Sequence, residues 1–325
     1  MTDYGTMTDP LLQALEADFE GVEVVALGGG HGLATALQAI QLVTPSITAI
    51  VGVADNGGSS GRLSPALGIP PPGDLRRALV ALTPAHSTWR DLFEFRFDEG
   101  DIAGHSLGNL MLAAMAAEAG SFDEGVMEAE RCLGSIGSVV PAATESLTMK
   151  AVIDGKAVHG QLNIAQTAGE ITELTLEPAD VAANPRALAA IKGAGQIVLG
   201  PGSLFTSTLG AVAVPGMADA INASEAQLVY VCNLITQDGE TLGMDGAAHI
   251  EALSSHGRLR RPDVIVANDS PIAVERPHEP VRIDEVWAAQ LGLDVVYADL
   301  VDRSGDWPFH HPNRLGDVLG RIAPS

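Results

Sequence analysis

The chain alternates short, unbroken runs of Val, Ile, Leu and Ala with longer stretches in which apolar residues return every three or four positions. Unbroken runs predict strands covered on both faces, and the longer period predicts the helices that cover them. Val22 to Leu27 is the first run, and it leads into GGGHGLATALQAIQLV, where Leu33, Leu37, Ile40 and Val43 mark one face of a helix beginning near Leu33. A second run, Ile47 to Val53, completes a βαβ unit. Residues Arg76 to about Leu133 read as mostly helical, with His105 and Asn109 four apart on one helical face. From about Leu147 to Leu176 the pattern turns to short alternation around Asp154-Gly155, which predicts a β-hairpin excursion. Strand-like runs return at Gln196–Leu199, Leu228–Cys232, Val264–Ala267 and Leu293–Tyr297. The pattern predicts a Rossmann-type α/β fold, a doubly wound and mostly parallel sheet. It divides into a tail over 1–20 and a single domain over 21–325, with a helical and hairpin insertion at about 85–180.

Composition narrows the partners. Aromatics are only 4% of a chain that is 46% hydrophobic, so the core must be built from aliphatic side chains, as helix-covered parallel sheets are. Forty-one Asp and Glu face 18 Lys and Arg, a formal charge of −23, and that field repels nucleic acid and anionic membranes alike. An anionic ligand must therefore be held by local donors. Cys132 and Cys232 form no CxxC pair, and the histidines show no HExxH spacing, so no metal site is expected. The N-terminus carries acids where a signal peptide carries bases, and no apolar run reaches about 18 residues. A cytoplasmic protein without membrane insertion is the expectation.

Ligands of open α/β sheets bind beyond the carboxyl ends of the strands, so the residues just after each run carry the candidate chemistry. The first run is followed by GGGHG, with Gly29, Gly30, His31 and Gly32 at the start of a helix whose free N–H groups suit a phosphate. GxGxxG is incomplete there, and the GK[ST] of a P-loop is absent. The second run ends in Asp55, Asn56, Gly58, Ser59, Ser60 and Arg62, a possible second anion nest in which Arg62 could equally form a surface ion pair. Gly73 and Asp74 stand at a helix start, where Asp74 is an N-cap by type. His105 and Asn109 add two polar groups amid Leu, Met and Ala. Later strand ends supply Gly200, Pro201, Gly202 and Ser203, then Asn233, Thr236 and Gln237. No GxSxG elbow surrounds Ser203, so no catalytic nucleophile is expected.

Taken together, GGGHGL, ITAIVGVADNGGSSGRL, GIPPPGDLRRAL, GHSLGNLML, LGPGSLFTS, YVCNLITQDGET and HHPNRL resemble the bacterial YvcK or gluconeogenesis-factor family. That family is related to CofD, the 2-phospho-L-lactate transferase of deazaflavin coenzyme synthesis. The resemblance implies a CofD-like fold, binding of a UDP-sugar such as UDP-N-acetylglucosamine, self-association as a dimer, and a role in gluconeogenic growth, cell shape and envelope synthesis without required cofactors. Asn233 keeps its family identity. Three positions depart from the family pattern: His31 replaces a threonine, Asn56 replaces the second aspartate of ADDGGSSG, and His310 stands where arginine is usual. A UDP-sugar-binding regulator is thus the first reading. A CofD-type transferase using Mg²⁺, with Asp55 helping to hold the metal, is the alternative. A nicotinamide-dependent dehydrogenase would share only the first βαβ unit.

Overall fold

The computed structural model describes residues 22–305 and 307–324, so the expected tail over 1–20 lies outside the described residues. Seven strands form one parallel sheet: β1 (Val24–Gly28), β2 (Ile47–Val51), β3 (Ser138–Pro141), then β7 (Gln196–Leu199), β8 (Gln227–Val231), β9 (Val264–Asn268) and β10 (Asp294–Ala298). Their spatial order is β10-β9-β8-β7-β1-β2-β3. The chain therefore runs outward from β1 in one direction through β3 and returns beside β1 with β7 to run outward in the other. The crevice between the ends of β1 and β7 is the topological switch point of the sheet, where doubly wound folds bind ligands.

Each strand of the central pair is buried along its full length, which explains why unbroken apolar runs, rather than alternation, marked them in the sequence. Helix α1 (Gly30–Ile40) buries Leu33, Ala36, Leu37, Ala39 and Ile40 and packs against the helices Pro72–Ala81 and Pro312–Ile322. A turn of π-helix, Leu204–Leu209, and the short helix Gly210–Val212 also pack on β1. This apolar segment and Met217–Ala223 are bent by 76° and bury Leu204, Leu209, Met217 and Ile221 in the core. Among the described residues no single helix is long and apolar enough to cross a membrane.

The hairpin excursion is a separate antiparallel sheet of β4 (Thr148–Ile153), β5 (Lys156–His159) and β6 (Ile171–Glu177), in the order β5-β4-β6. Two further short strands, β11 (Val301–Asp302) and β12 (Phe309–His310), pair antiparallel near the C-terminus. The expected insertion over 85–180 is not one block, because β3 lies inside it and forms the edge of the central sheet beside β2. Five helices lie between β2 and β3: α2 (Gly58–Leu67), α3 (Pro72–Ala81), α4 (Thr88–Glu94), α5 (Leu107–Ala119) and α6 (Phe122–Leu133).

Candidate functional site

A cavity of about 300 Å³ occupies the switch point. Its floor is the turn between β1 and α1. Gly28 has φ +154° and Gly30 φ +64°, a left-handed backbone that an L side chain would strain, so the chain doubles back directly from strand into helix. No side chain caps α1, and the first helical bond on record runs from the Leu33 N–H to the Gly29 carbonyl at 3.3 Å. The N–H groups of Gly30, His31 and Gly32 therefore precede the ladder and line the cavity with the positive end of the helix dipole. The helix starts three residues earlier than the periodicity predicted, since glycines carry no apolar side chain to mark its first turn.

The second wall is the turn after β7. A Cβ on Gly32 would collide with the Pro201 carbonyl and come within 2.7 Å of the Gly202 Cα, so the two turns are in backbone contact. The π-helix beyond Ser203 differs from α1 in one respect that decides its role. Two of its first N–H groups are already satisfied, because the buried Glu240 carboxylate accepts from the Phe205 N–H at 3.0 Å, the Thr206 N–H at 3.2 Å and the Thr206 hydroxyl at 2.5 Å. Among the described residues no such internal acceptor reaches the start of α1, which leaves its first three N–H groups open.

Two carboxylates and three polar side chains complete the cavity. Asp55 follows β2, and burial first, then the neighbouring Asp74, raises its pKa; the Gly57 N–H, the Ser60 hydroxyl and Arg77 oppose the shift. Asp74 accepts from Arg77 Nη1 at 2.5 Å. It does not cap its helix: α3 begins at Pro72 with Pro71 as N-cap, which leaves Asp74 in the first turn and free to face the cavity. A Cβ on Gly29 would lie 2.5 Å from Asp74 Oδ2, so glycine there lets the carboxylate approach the turn. Asn233, Gln237 and His310 close the far side. His310 Nε2 lies 3.2 Å from the Cys232 carbonyl, which can only accept, so the proton is on Nε2 and Nδ1 keeps a lone pair. Burial pushes its pKa down to about 4, leaving the ring neutral near pH 7. His31 is likewise held low, by burial and then by Arg77 and Arg76.

The structure brings Gly29, Gly30, His31, Gly32, Asp55, Asp74, Pro201, Gly202, Ser203, Asn233, Gln237 and His310 to this one cavity. Other candidates stand behind it. Ser59 Oγ is bound by Asn109 Nδ2 at 3.0 Å and by His105 Nδ1 at 2.9 Å, and the three are buried together. His105 is not on a helical face with Asn109, because Ser106 caps α5 by accepting from the Asn109 N–H and so places His105 outside the helix. Ser60 accepts from the Gly73 N–H at 3.0 Å, which commits its hydroxyl and the Gly73 donor to joining α2 to α3. Arg62 donates to the Ala103 carbonyl at 2.6 Å and forms no ion pair among the described residues. Gly58, at φ +48°, opens α2, and Gly200, at φ +74°, ends β7; neither lines the cavity. Thr236 is tied to the Glu279 backbone through both its N–H and its hydroxyl, each at 2.9 Å. Asn56 points away and accepts from the Leu162 N–H at 2.9 Å, anchoring the helix Gln161–Gln166 of the hairpin layer.

The cavity also includes residues that no strand-end rule singled out. Thr35 and Ser207 lie one helical turn beyond the two glycine turns, where their hydroxyls follow from the periodicity once the helix starts are known. Gln161 arrives from the hairpin layer, and Trp307, Pro308 and Phe309 from the strand pair β11 and β12. Their sequence neighbourhoods carry no signal of this convergence.

The fold and site define a parallel α/β protein with an open helix N-terminus at its switch point. The family model described as 2-phospho-L-lactate transferase CofD matches residues 24–301, and the chain belongs to that family. Within it, the chain is 39% identical to the gluconeogenesis factor of Halalkalibacterium halodurans over 91% of this chain and 95% of that protein. It is 38% identical to the gluconeogenesis factor of Bacillus subtilis over 91% and 96%, and 44% identical to the putative gluconeogenesis factor of Thermotoga maritima over 93% and 99%. The crystal structure of a UPF0052 family protein from Bacillus halodurans superposes with a TM-score of 0.87 at 38% identity, covering 92% of this chain and 99% of that one. The chain is thus a member of the gluconeogenesis-factor family with a CofD-like fold.

Proposed function

We propose that the cavity binds a UDP-sugar of the UDP-N-acetylglucosamine type and that the protein acts as a regulator linking carbon supply in gluconeogenic growth to cell shape and envelope synthesis. The observation that carries this reading is the uncapped start of α1. Three backbone donors and the helix dipole meet there in a strongly acidic protein, beside Arg77 and the side chains of Ser203 and Asn233. A diphosphate satisfies those donors, and the uncharged acceptors and donors of Asn233, Gln237 and His310 suit the hydroxyls and amide of a sugar or the edge of a base.

One observation favours a second reading, a CofD-type transferase. Asp55 and Asp74 face the same cavity, and burial and then the repulsion of Asp74 raise the Asp55 pKa. A divalent cation bound between them would relieve that repulsion and bridge to a diphosphate. Calorimetric titration with UDP-N-acetylglucosamine and with GDP, each with and without Mg²⁺, separates the two. Uridine binding that does not need the metal supports the regulator. Mg²⁺-dependent binding of GDP alone supports the transferase.

A further inference from the structure

A second cavity, of about 350 Å³, opens beside the first and shares His31, Thr35, Arg77, Phe309 and His310 with it. Its character is different. Arg76, Arg77 and Arg90 line it, a concentration of cations in a chain whose formal charge is −23. The exposed Glu94 and the half-buried Asp302 are the acids that reach its wall.

Arg76 is the informative member. It is 7% exposed, packed between Phe93 and Gly108, and its Nε has no hydrogen-bond partner among the described residues. Among the described residues the one acceptor for its guanidinium is the Phe93 carbonyl, 3.5 Å from Nη1. Arg77 is engaged by Asp74 and Arg90 donates to the Thr83 carbonyl at 3.3 Å, whereas Arg76 forms no ion pair among the described residues. Burial, followed by repulsion from Arg77 and Arg96, pushes the Arg76 pKa down to about 10, with Glu94 and Asp74 opposing the shift. A buried guanidinium among like charges is costly unless a counter-charge meets it, and its planar fork matches carboxylate and phosphate oxygens.

We infer that this second cavity is an anion subsite, in which Arg76 and Arg90 bind a carboxylate or phosphate group beside the ligand of the first cavity. The group is carried either by the distal end of the nucleotide-type ligand or by a separate small acid. In both cases the oxyanion supplies the acceptors that the protein withholds from Arg76, and Arg77 stands between the two cavities.

The inference does not depend on the UDP-sugar reading, because inorganic phosphate alone tests it. The full-length protein, Arg76→Gln and Arg90→Gln are titrated calorimetrically with phosphate at low ionic strength. Binding to the unsubstituted protein that weakens roughly tenfold or more in the variants is expected for the loss of a charge-assisted contact. Arg90 is only half-buried, so its variant keeps the test open if Arg76→Gln fails to fold. No phosphate binding by the unsubstituted protein, or binding that a folded variant retains in full, overturns the inference. UDP-glucuronic acid then identifies the source. Tighter binding than UDP-N-acetylglucosamine, levelled by Arg90→Gln, places the anion on the ligand's own sugar. Phosphate that still binds protein saturated with UDP-N-acetylglucosamine places it on a separate molecule. Arginine-dependent phosphate binding in a protein that takes no UDP-sugar supports the subsite and removes the nucleotide reading.

Discussion

Replacing Gly32 with alanine tests whether the two glycine turns are locked together as the packing requires. An alanine Cβ would meet the Pro201 carbonyl carbon at 2.6 Å and the Gly202 Cα at 2.7 Å, where carbon atoms normally rest about 3.5–4.0 Å apart. Roughly 1 Å of relief is needed, and it must come from backbone, because no flexible side chain is in the way. Overpacking of a rigid site costs about 1–3 kcal/mol, and this case belongs at the upper end. For a chain of this size that is a fall in melting temperature of roughly 2 °C per kcal/mol, some 4–6 °C in all. Gly30→Ala is the control. Its Cβ would meet nothing within 4 Å, but φ is +64°, so it carries only the left-handed backbone cost of about 1–2 kcal/mol, partly offset by a stiffer unfolded chain. Thermal unfolding gives stability, and calorimetry with UDP-N-acetylglucosamine gives affinity. Gly32→Ala should lose more of both than Gly30→Ala. A Gly32→Ala protein as stable as the original and unchanged in affinity would refute the account of the turns as a rigid pair.

Three further outcomes follow from the geometry. Ser59→Ala leaves the buried Asn109 amide and His105 ring without their shared partner, so unfolding in urea should show a loss of about 1–3 kcal/mol with ligand affinity little changed; the reverse pattern would make Ser59 a ligand contact. His310 takes up a proton more readily unfolded, near pH 6.5, than folded, near pH 4, so its contribution to stability is intact above the first value and falls as pH drops towards the second. The loss is roughly 3 kcal/mol, and a plot of unfolding free energy against pH for His310→Gln should be flatter in that window than for the parent. Glu240→Ala removes the acceptor shared by two buried N–H groups, so the π-helix start should lose about 1–3 kcal/mol, with faster amide exchange at Phe205 and Thr206; unchanged exchange there would show that the carboxylate is not what holds that turn.

The central strands were legible because a strand covered on both faces has no polar positions to blur its run, as Gln196–Leu199 and Val264–Asn268 illustrate. Strand β3 escaped for a converse reason: SVVP holds two buried residues between a polar start and a proline, too short to separate from loop. The error at His105 had a local cause. Its spacing to Asn109 fits a helix, yet the intervening Ser106 is an N-cap, and capping by serine starts the helix only after His105, where periodicity alone would have it already under way. In the site, strand-end position was informative for residues whose backbone faces the crevice, and misleading for Ser59, Ser60 and Asn56, whose side chains are taken by other parts of the protein. Spacing along a chain does not report which hydrogen-bond partners folding will supply. Gln161 and Phe309 were out of reach because they approach from outside the sheet.

The placement of β1 between β2 and β7 has a consequence for the order in which the protein is made. Val24–Leu27 pairs on one side with a strand about twenty residues on and on the other with Gln196–Leu199, and the cleft then requires His310 from beyond the last sheet strand. During synthesis the glycine turn after β1 can be drawn early, but the opposite wall of the cavity does not exist until nearly the whole chain has emerged. Contacts so distant along the chain close slowly, and a ligand that needs both walls cannot assist any earlier stage. Bound as proposed above, it would act instead as a clasp on the finished molecule, so that ligand supply would govern how long the mature protein survives rather than how quickly it forms.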